Sequence, residues 1–473
     1  MGKELNITKG VIWKQLLIFF FPIMIGSLFQ QLYSTVDAII VGRFVGKEAL
    51  AAVGNTGVFI NLLIGFFMGI SSGAGVVIAQ FFGAKEDKGV SKTVHTSIIL
   101  AVVGGAIVMV VGILAAPTIL QWMNTPGDIF QQSYDYTKYY FYGAIPCLVY
   151  NIGTGILRAI GDSKRPLYFL IVACFANIVL DFLFVVGFDM GVIGAAIATD
   201  LAQCLSAILV IVYLMKAKGQ SYQLHFSQIK LDPRILKSII RIGIPIGVQS
   251  IMYTVSNMII QGYINDFGTD TIAAWTAYGR VDFLFWMIVN AMGIAVTTFA
   301  GQNFGAGKLD RMKQGNLTGL KITALFTLIL SSIYLIFAHP FLLMFTGDEA
   351  VLKIGVYMIR CFAPIYITFI PIEIYSGTIR GAGTVFVPTL ITTLGVCGLR
   401  IVWLGIAMKY IPNLLTLMAA YPIAWIVASS LYIWYYHKGR WIRVGKRKLK
   451  LNEAIEYHVS CGNEELQNKK KNE

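Results

Sequence analysis

Two aspartates lie within apolar stretches of the N-terminal half, where a charged side chain is costly. Asp37 falls inside the first long apolar run and Asp181 inside the fifth. An acidic residue at the middle of a membrane costs about 2.5–3.5 kcal/mol on insertion scales, so it is a functional candidate by default. Asn177 lies four residues before Asp181 and shares its helix face. Thr199 follows Asp181 by eighteen residues, across a short turn.

These four side chains have the chemistry of a site for a small cation. Two carboxylates, an amide and a hydroxyl supply hard oxygen ligands, which suit Na⁺ as the metal ion. Without a metal ion, two close carboxylates do not both ionise readily, so the pair could carry a proton instead. The sequence therefore predicts a cation-coupling site for Na⁺ or H⁺, and the alternative interpretation is a hydrogen-bonded structural cluster. The predicted site residues are Asp37, Asn177, Asp181 and Thr199.

The segments that carry these residues are long and apolar. Hydrophobic residues make up 56% of the 473 positions, charged residues only 13%, and the mean hydropathy is +0.70; in soluble domains about a quarter of residues are charged. We count twelve apolar runs, the fourth at 138–157, each long enough to cross about 30 Å of hydrocarbon as a helix. The sequence predicts an all-α membrane protein with twelve transmembrane helices, because continuous runs do not suit a barrel.

The distribution of basic residues indicates an orientation in the membrane. With the N-terminus in the cytoplasm, 29 of the 38 Lys and Arg lie on the cytoplasmic side, four on the other side, and five in or beside spans. This positive-inside bias predicts a multi-pass protein of the cell (inner or plasma) membrane with both termini cytoplasmic. Because this bias accounts for the net charge of +14, the charge does not indicate a nucleic-acid partner, and we expect none. The basic tail is expected either to lie against anionic headgroups or to be a solvated stop signal.

The two halves of the chain repeat each other. Several residues of the first half have an identical residue 222 positions later: Gly155 and Gly377, Arg158 and Arg380, Gly161 and Gly383, Pro166 and Pro388, Gln80 and Gln302. Each half has six spans, so we expect two parallel six-helix lobes related by a pseudo-two-fold axis along the membrane normal. The predicted domains are an N-lobe (1–215), a cytoplasmic linker (216–238), a C-lobe (239–436) and a basic cytoplasmic tail (437–473).

The predicted cation site does not follow this repeat. At the same offset, Ile259 stands opposite Asp37, and Trp403 stands opposite Asp181. Repeated residues such as Arg158 suit a shared scaffold, whereas unmatched acids suit a function confined to one lobe. We therefore expect ion coupling to reside in the N-lobe.

The second half has its own intramembrane charges, namely Arg280, Asp282, Glu373 and Arg400. Two interpretations of Glu373 remain open: it binds a cationic substrate, or it forms a structural ion pair with Arg400.

Four further residues are predicted to be structural or to take part in gating. Arg158 and Arg380 fall at cytoplasmic helix ends beside glycines, which indicates capping or gating. Pro22 and Pro245 occupy matching places in the first and seventh spans. Each removes a backbone hydrogen bond, so the helix there either bends during transport or holds a static kink.

No motif in the chain indicates an enzyme. HExxH, GxSxG and His/Cys clusters are absent from the sequence, and the six cysteines show no CxxC spacing. The string GRFVGKE, which begins at Gly42, departs from a phosphate-binding loop in both glycine spacing and the residue after the lysine. We therefore expect no catalytic residues and no cofactor apart from a coupling ion.

Several strings resemble the multidrug and toxic compound extrusion (MATE) family. They are QQLYSTVDAIIVGRFVGKEALAAVG, GISSGAGVVIAQFFGAK, GILRAIGDSKRP and NIVLD in the first half, and TTFAGQNFGAGK and GTIRGAGT in the second. The resemblance covers the chain to about Arg443. It implies a two-lobe antiporter that couples inward flow of Na⁺ or H⁺ to export of drugs or toxic organic cations, with relevance to antibiotic resistance.

The resemblance also bears on individual residues. The family's N-lobe cation site falls on the four residues named above, and aspartate at 181 is similar to the prokaryotic DinF-like branch rather than the NorM-like branch. Tyr253 stands where NorM-type proteins have a glutamate, and Glu373 lies one turn nearer the arginine than their acidic residue. By implication, cation binding bends the first span and expels substrate. The substrate-binding candidates are Gln30, Tyr33, Tyr253, Trp275, Phe283 and Glu373, with simple packing as the alternative for the aromatic residues.

Three rival classes are less well supported. A flippase for a lipid-linked precursor shares this superfamily, but a basic cavity would be expected for its pyrophosphate. A membrane enzyme lacks a nucleophile–base pair, and a channel lacks a filter motif. We expect a monomer embedded in the lipid bilayer with small-molecule partners.

Overall fold

The protein is described here by a computed structural model that covers residues 7–446. Between these residues the chain forms helices and no β-strand. Twelve helical segments follow one another, and their bounds are α1 (Ile12–Val45), α2 (Lys47–Ala84), α3 (Asp87–Trp122), α4 (Gly127–Tyr142 and Ala144–Ala159), α5 (Lys164–Gly187), α6 (Gly191–Lys216), α7 (Pro233–Asn265), α8 (Thr269–Gly305), α9 (Leu309–Leu343), α10 (Glu349–Gly381), α11 (Phe386–Tyr410) and α12 (Leu414–His437).

Eleven of these segments are long and apolar enough to cross a membrane. The exception is α4, for which a single span at 138–157 was expected. Two 16-residue helices meet instead at Gly143, which has φ −80° and ψ 3°. The first of the two carries Asp128, Asp135 and Lys138, and this polarity hid its helix from a search for apolar runs.

The helices form two bundles, each with its own core. One buried cluster draws mainly on α1–α6 and the other on α8–α12 and the turn that follows. This arrangement agrees with the predicted two-lobe, all-helical fold. The first of the two prolines predicted to bend, Pro22, is buried inside α1, and Pro245 lies inside α7; both helices continue through them.

The segment between the bundles is shorter than the predicted 216–238 and packs on the N-lobe. It runs from residue 217 to residue 232, because α7 begins at Pro233 behind an Asp232 cap. Leu224 is buried in the N-lobe core. The backbone N–H of His225 donates to His95 Nε2 at 3.2 Å. The predicted tail begins at His437, which is the last residue of α12. A short helix follows at 440–446, and residues 447–473 lie outside the described range.

The lobes meet closely through α2, which packs against both α7 and α8. A Cβ on Gly69 or Gly73 of α2 would collide with backbone atoms of α7 near Gly243 and Gly247, so only glycine fits. Earlier in α2, a Cβ on Gly54 or Gly57 would have no other heavy atom within 4 Å. The close inter-lobe contacts of α2 therefore lie in the half of the bundle that carries the chain ends, and its two glycines nearer the other end make no such contact.

Candidate functional site

The N-lobe contains a cavity of about 510 Å³. Helices α1, α2, α4, α5 and α6 form most of its wall, and one side is closed by Phe283, Trp286, Met287 and Asn290 of α8. Five of the residues predicted from sequence line this cavity: Gln30, Tyr33, Asn177, Thr199 and Phe283. The structure thus brings half of the predicted coupling set together with half of the predicted substrate set.

The two aspartates predicted to bind the coupling ion are buried beside this cavity. Asp37 of α1 is 8% exposed and Asp181 of α5 is fully buried. Helix α1 packs against α5, and α5 packs against α6, which brings the acids to the side of Asn177 and Thr199. Asp37 and Asp181 lie close enough to interact electrostatically.

The polar atoms of this group are unusual because they have no protein partner. Among the described residues, no hydrogen bond reaches Asp37 Oδ1, either oxygen of Asp181, or the amide atoms of Asn177. Buried polar groups are nearly always paired, so such a cluster calls for an explanation. Carboxylate and amide oxygens close to one another can hold a small cation or a shared proton.

The ligand set is sparse in charged groups. Among residues 7–446, no three His, Cys, Asp or Glu side chains are arranged to hold a metal ion. A cation at Asp37 and Asp181 would therefore depend on the amide and the hydroxyl for its remaining ligands.

The predicted site omitted two residues that lie near it. Tyr136 of α4 is buried and interacts electrostatically with both Asp37 and Asp181. Asp200 of α6 lies against Gly143 at the break in α4. Asp200 follows Thr199 directly and sits in an apolar run, which is the signal that indicated Asp37. Tyr136 carries no comparable signal in sequence.

The C-lobe contains a second cavity of about 630 Å³. Three predicted substrate residues, Tyr253, Trp275 and Glu373, line this cavity rather than the first. The residues predicted to form one substrate site therefore lie in two different cavities. They adjoin, because Trp286 and Asn290 line both.

Glu373 has a different partner from the one suggested by sequence. Arg380 Nη2 donates to Glu373 Oε1 at 2.9 Å, both on α10. The suggested pair with Arg400 is absent among the described residues. Seven residues are about two helical turns, and a long arginine side chain spans that distance.

Arg158 and Arg380 approach the same small space between the lobes. Both line a third cavity of about 230 Å³, together with Glu373 and residues of α2 and α8. Arg158 Nε is buried and has no partner among the described residues. The two arginines therefore face the lobe interface instead of simply ending their helices.

The comparisons with known proteins agree with this architecture. The MatE family model matches residues 22–183 and 245–431, one match in each lobe. The protein named probable multidrug resistance protein YoeA from Bacillus subtilis (strain 168) is 29% identical over 439 residues, which are 91% of this chain and 94% of the relative. The probable multidrug resistance protein NorM of Thermotoga maritima is 25% identical, over 90% and 93% of the two chains.

Solved structures show the same fold. A crystal structure described as MATE in the bent conformation superposes with a TM-score of 0.87 at 22% identity, and covers 94% of this chain and 99% of that chain. A structure described as the outward-facing conformation of a multidrug resistance MATE family transporter gives the same TM-score, identity and coverage.

The two-lobe helical fold, its paired cavities and the family match define a multi-pass membrane transporter, not an enzyme. The chain belongs to the MatE family of multidrug efflux transporters.

Proposed function

We propose that the protein is an antiporter in which inward movement of Na⁺ or H⁺ drives export of organic, mostly cationic amphiphiles. The single observation that carries this proposal is the group of unpartnered atoms on Asp37, Asp181 and Asn177 beside the N-lobe cavity. Buried carboxylates without partners are unfavourable unless a bound cation or proton compensates them.

The orientation in this proposal follows the positive-inside bias. Both termini face the cytoplasm of a cell with the protein in its plasma membrane, and a monomer suffices because each lobe has its own cavity. The end at which the lobes pack closely is then the cytoplasmic end, and the other end faces outward. Such an arrangement supports an outward-facing state of an alternating-access cycle.

The proposed cycle uses competition between cation and substrate. A cation that reaches Asp37 and Asp181 from outside neutralises them and draws α1 towards α5, with Pro22 as the point of bending. The N-lobe cavity shrinks and releases its substrate. Rocking of the lobes then exposes the cavity to the cytoplasm, where the cation leaves and a new substrate enters.

The test measures efflux of ethidium from proteoliposomes under an imposed Na⁺ gradient or an imposed proton gradient. We expect one of the two gradients to drive efflux by the wild-type protein, and Asp37→Asn to reduce that efflux at least tenfold. Asp189→Asn is the matched control, because Asp189 is an exposed acid in the turn after α5. Gradient-driven efflux that persists unchanged in Asp37→Asn would refute the coupling site.

A further inference from the structure

The C-lobe cavity contains a buried guanidinium that lacks a hydrogen-bond acceptor. Arg400 of α11 lines this cavity and is 2% exposed. Its Nε and Nη2 atoms have no partner within residues 7–446. A buried charge without an acceptor is strongly unfavourable. Arg400 therefore has unused capacity for an anionic group.

The two acids of this cavity are already engaged. Both oxygens of Asp282 accept hydrogen bonds, one from the Tyr366 hydroxyl and the other from Trp286 Nε1 at 2.6 Å. Glu373 accepts from Arg380. Neither acid forms a salt bridge with Arg400 in the part of the chain that the structure describes.

Aromatic rings hold the guanidinium in place without satisfying its N–H groups. Arg400 Cζ lies 4.2 Å from the ring centroid of Tyr421 and 5.9 Å from that of Trp425. Cation–π contact of this kind stabilises the charge and leaves the planar donor edge available. Further rings from Trp275, Phe362 and Phe369 line the same cavity.

The cavity has the size and composition of a small-molecule site. Its volume of about 630 Å³ lies within the range of roughly 300–1,000 Å³ that such sites occupy. Its aromatic wall surrounds four charged side chains, of which Asp282, Glu373 and Arg380 have hydrogen-bond partners and Arg400 has none; a few polar groups in an aromatic pocket are typical of sites that fix the orientation of a flat ligand.

We propose that this C-lobe cavity binds an aromatic carboxylate. The two carboxylate oxygens accept from the fork of Arg400, which suits bidentate recognition of a carboxylate. The ring of the ligand packs against the aromatic wall. This ligand class is opposite in charge to the one expected beside Asp37, and it goes beyond the proposed cation-coupled export.

The test compares two probes of the same shape by isothermal titration calorimetry on the purified full-length protein in detergent. The probes are 2-naphthoate and its neutral analogue 2-naphthamide. We expect the wild-type protein to bind 2-naphthoate at least about tenfold more tightly, because a charge-assisted pair is worth more than a neutral contact. Arg400→Gln removes this preference and leaves 2-naphthamide affinity within about twofold.

A matched variant shows whether the effect belongs to this position. Arg280→Gln makes the same change at an exposed site on α8, and it is expected to keep the preference. Equal affinities of the two probes for the wild-type protein, or a preference that survives Arg400→Gln, would overturn the proposal.

Where Arg400→Gln does not fold, Arg400→Lys keeps the charge without the planar fork and is expected to reduce the preference by severalfold. An undiminished preference in Arg400→Lys would then count against bidentate binding.

A further variant separates this inference from the proposed function. Asp37→Asn lies in the other lobe and is expected to keep 2-naphthoate affinity within about twofold, although it is expected to reduce gradient-driven efflux at least tenfold. Failure of 2-naphthoate to bind, with Asp37-dependent efflux intact, would reject the C-lobe site alone. Normal 2-naphthoate binding with efflux independent of Asp37 would reject the coupling site alone.

Discussion

Gln80 and Gln302 make the same hydrogen bond in opposite directions across the two lobes. Gln80 Nε2, at the end of α2, donates to the carbonyl oxygen of Gly381 at 2.8 Å. Gln302 Nε2, at the end of α8, donates to the carbonyl oxygen of Ala159 at 2.7 Å. The two donors are 222 positions apart, and so are the two acceptors. The pseudo-two-fold symmetry of the protein thus produces a reciprocal pair of bonds between the lobes.

Two glycines allow these helices to approach. A Cβ on Gly83 would collide with the carbonyl of Gln302, and a Cβ on Gly305 would collide with the carbonyl of Gln80. Both glutamines are themselves buried. The paired bonds therefore close the end of the inter-lobe space that carries the chain ends.

Breaking both bonds should favour separation of the lobes at this end. Each buried hydrogen bond contributes about 0.5–1.5 kcal/mol, so Gln80→Leu/Gln302→Leu should shift the balance between closed and open states by roughly five- to 150-fold. Spin labels are placed at Lys88 and Lys313, which are exposed and lie on different lobes. Double electron–electron resonance in nanodiscs should show a larger population of long distances between the two labels in the double variant than in the unsubstituted protein.

Gln314→Leu provides the control for that experiment, because Gln314 is exposed and its side chain lies outside the interface. Its distance distribution should match that of the unsubstituted protein. An unchanged distribution in the double variant would mean that glycine packing alone holds the lobes together.

The sequence revealed the equivalence of these glutamines but not their bonds. A repeat offset tells which residues occupy corresponding positions in two lobes, and it contains no distance between the lobes. The glutamines were recognisable as a repeated pair, whereas the crossing to Ala159 and Gly381 depends on how the lobes pack. The number of helices was readable from apolar runs, except at α4, where polar residues and Gly143 interrupt the pattern.

Removing a charge at Asp181 should make the cation-free protein more stable. The side chain is fully buried and neither oxygen has a partner in the described range, so the carboxylate is expected to destabilise the folded state by about 1–3 kcal/mol. Asp181→Asn should raise the unfolding temperature, measured by scanning fluorimetry in a buffer without the coupling ion. Asp189→Asn should leave it unchanged.

The same measurement distinguishes the coupling ion. Added Na⁺ should raise the unfolding temperature of the wild-type protein if Na⁺ binds the folded state, and should have no effect on Asp181→Asn. Lower stability of Asp181→Asn in ion-free buffer would indicate that the carboxylate is satisfied in the folded state.

Gly143 should tolerate no side chain while Asp200 is present. A Cβ at position 143 would collide with the Asp200 carboxylate, so Gly143→Ala is expected to destabilise the protein by about 1–3 kcal/mol through overpacking. Adding Asp200→Ala should restore much of this loss, which a double-mutant cycle of unfolding free energies would measure. Gly127→Ala, where nothing lies within 4 Å of the added Cβ, should have little effect. Additive losses would show that the clash is relieved by other movements.

The sequence analysis did not identify Arg380 as the partner of Glu373, although the spacing of these two residues contained that information. Glu373 and Arg380 share a helix face at a spacing of seven, and the arginine side chain reaches towards the N-terminus of its helix, as long side chains on helices do. Arg400 lies on another helix, and only the packing of α11 against α12 and its rings decides what that guanidinium contacts. Spacing within one helix is therefore readable, whereas pairing between helices is not.

Glu373 and Arg380 should be coupled energetically because they pair at the lobe interface. Their side chains are only 18% and 13% exposed, so loss of one partner leaves a poorly hydrated charge. We expect Glu373→Gln and Arg380→Gln each to destabilise the protein by about 1–3 kcal/mol. The double variant should lose less than the sum of the two, by about 1 kcal/mol or more. Asp162→Asn/Arg165→Gln and its single variants give the reference, because the Arg165 side chain is 26% exposed, twice the exposure of Arg380, and the coupling of that pair should stay below about 1 kcal/mol. Strict additivity for Glu373 and Arg380 would show that the 2.9 Å contact adds nothing to stability, and that Glu373 is free to meet a substrate.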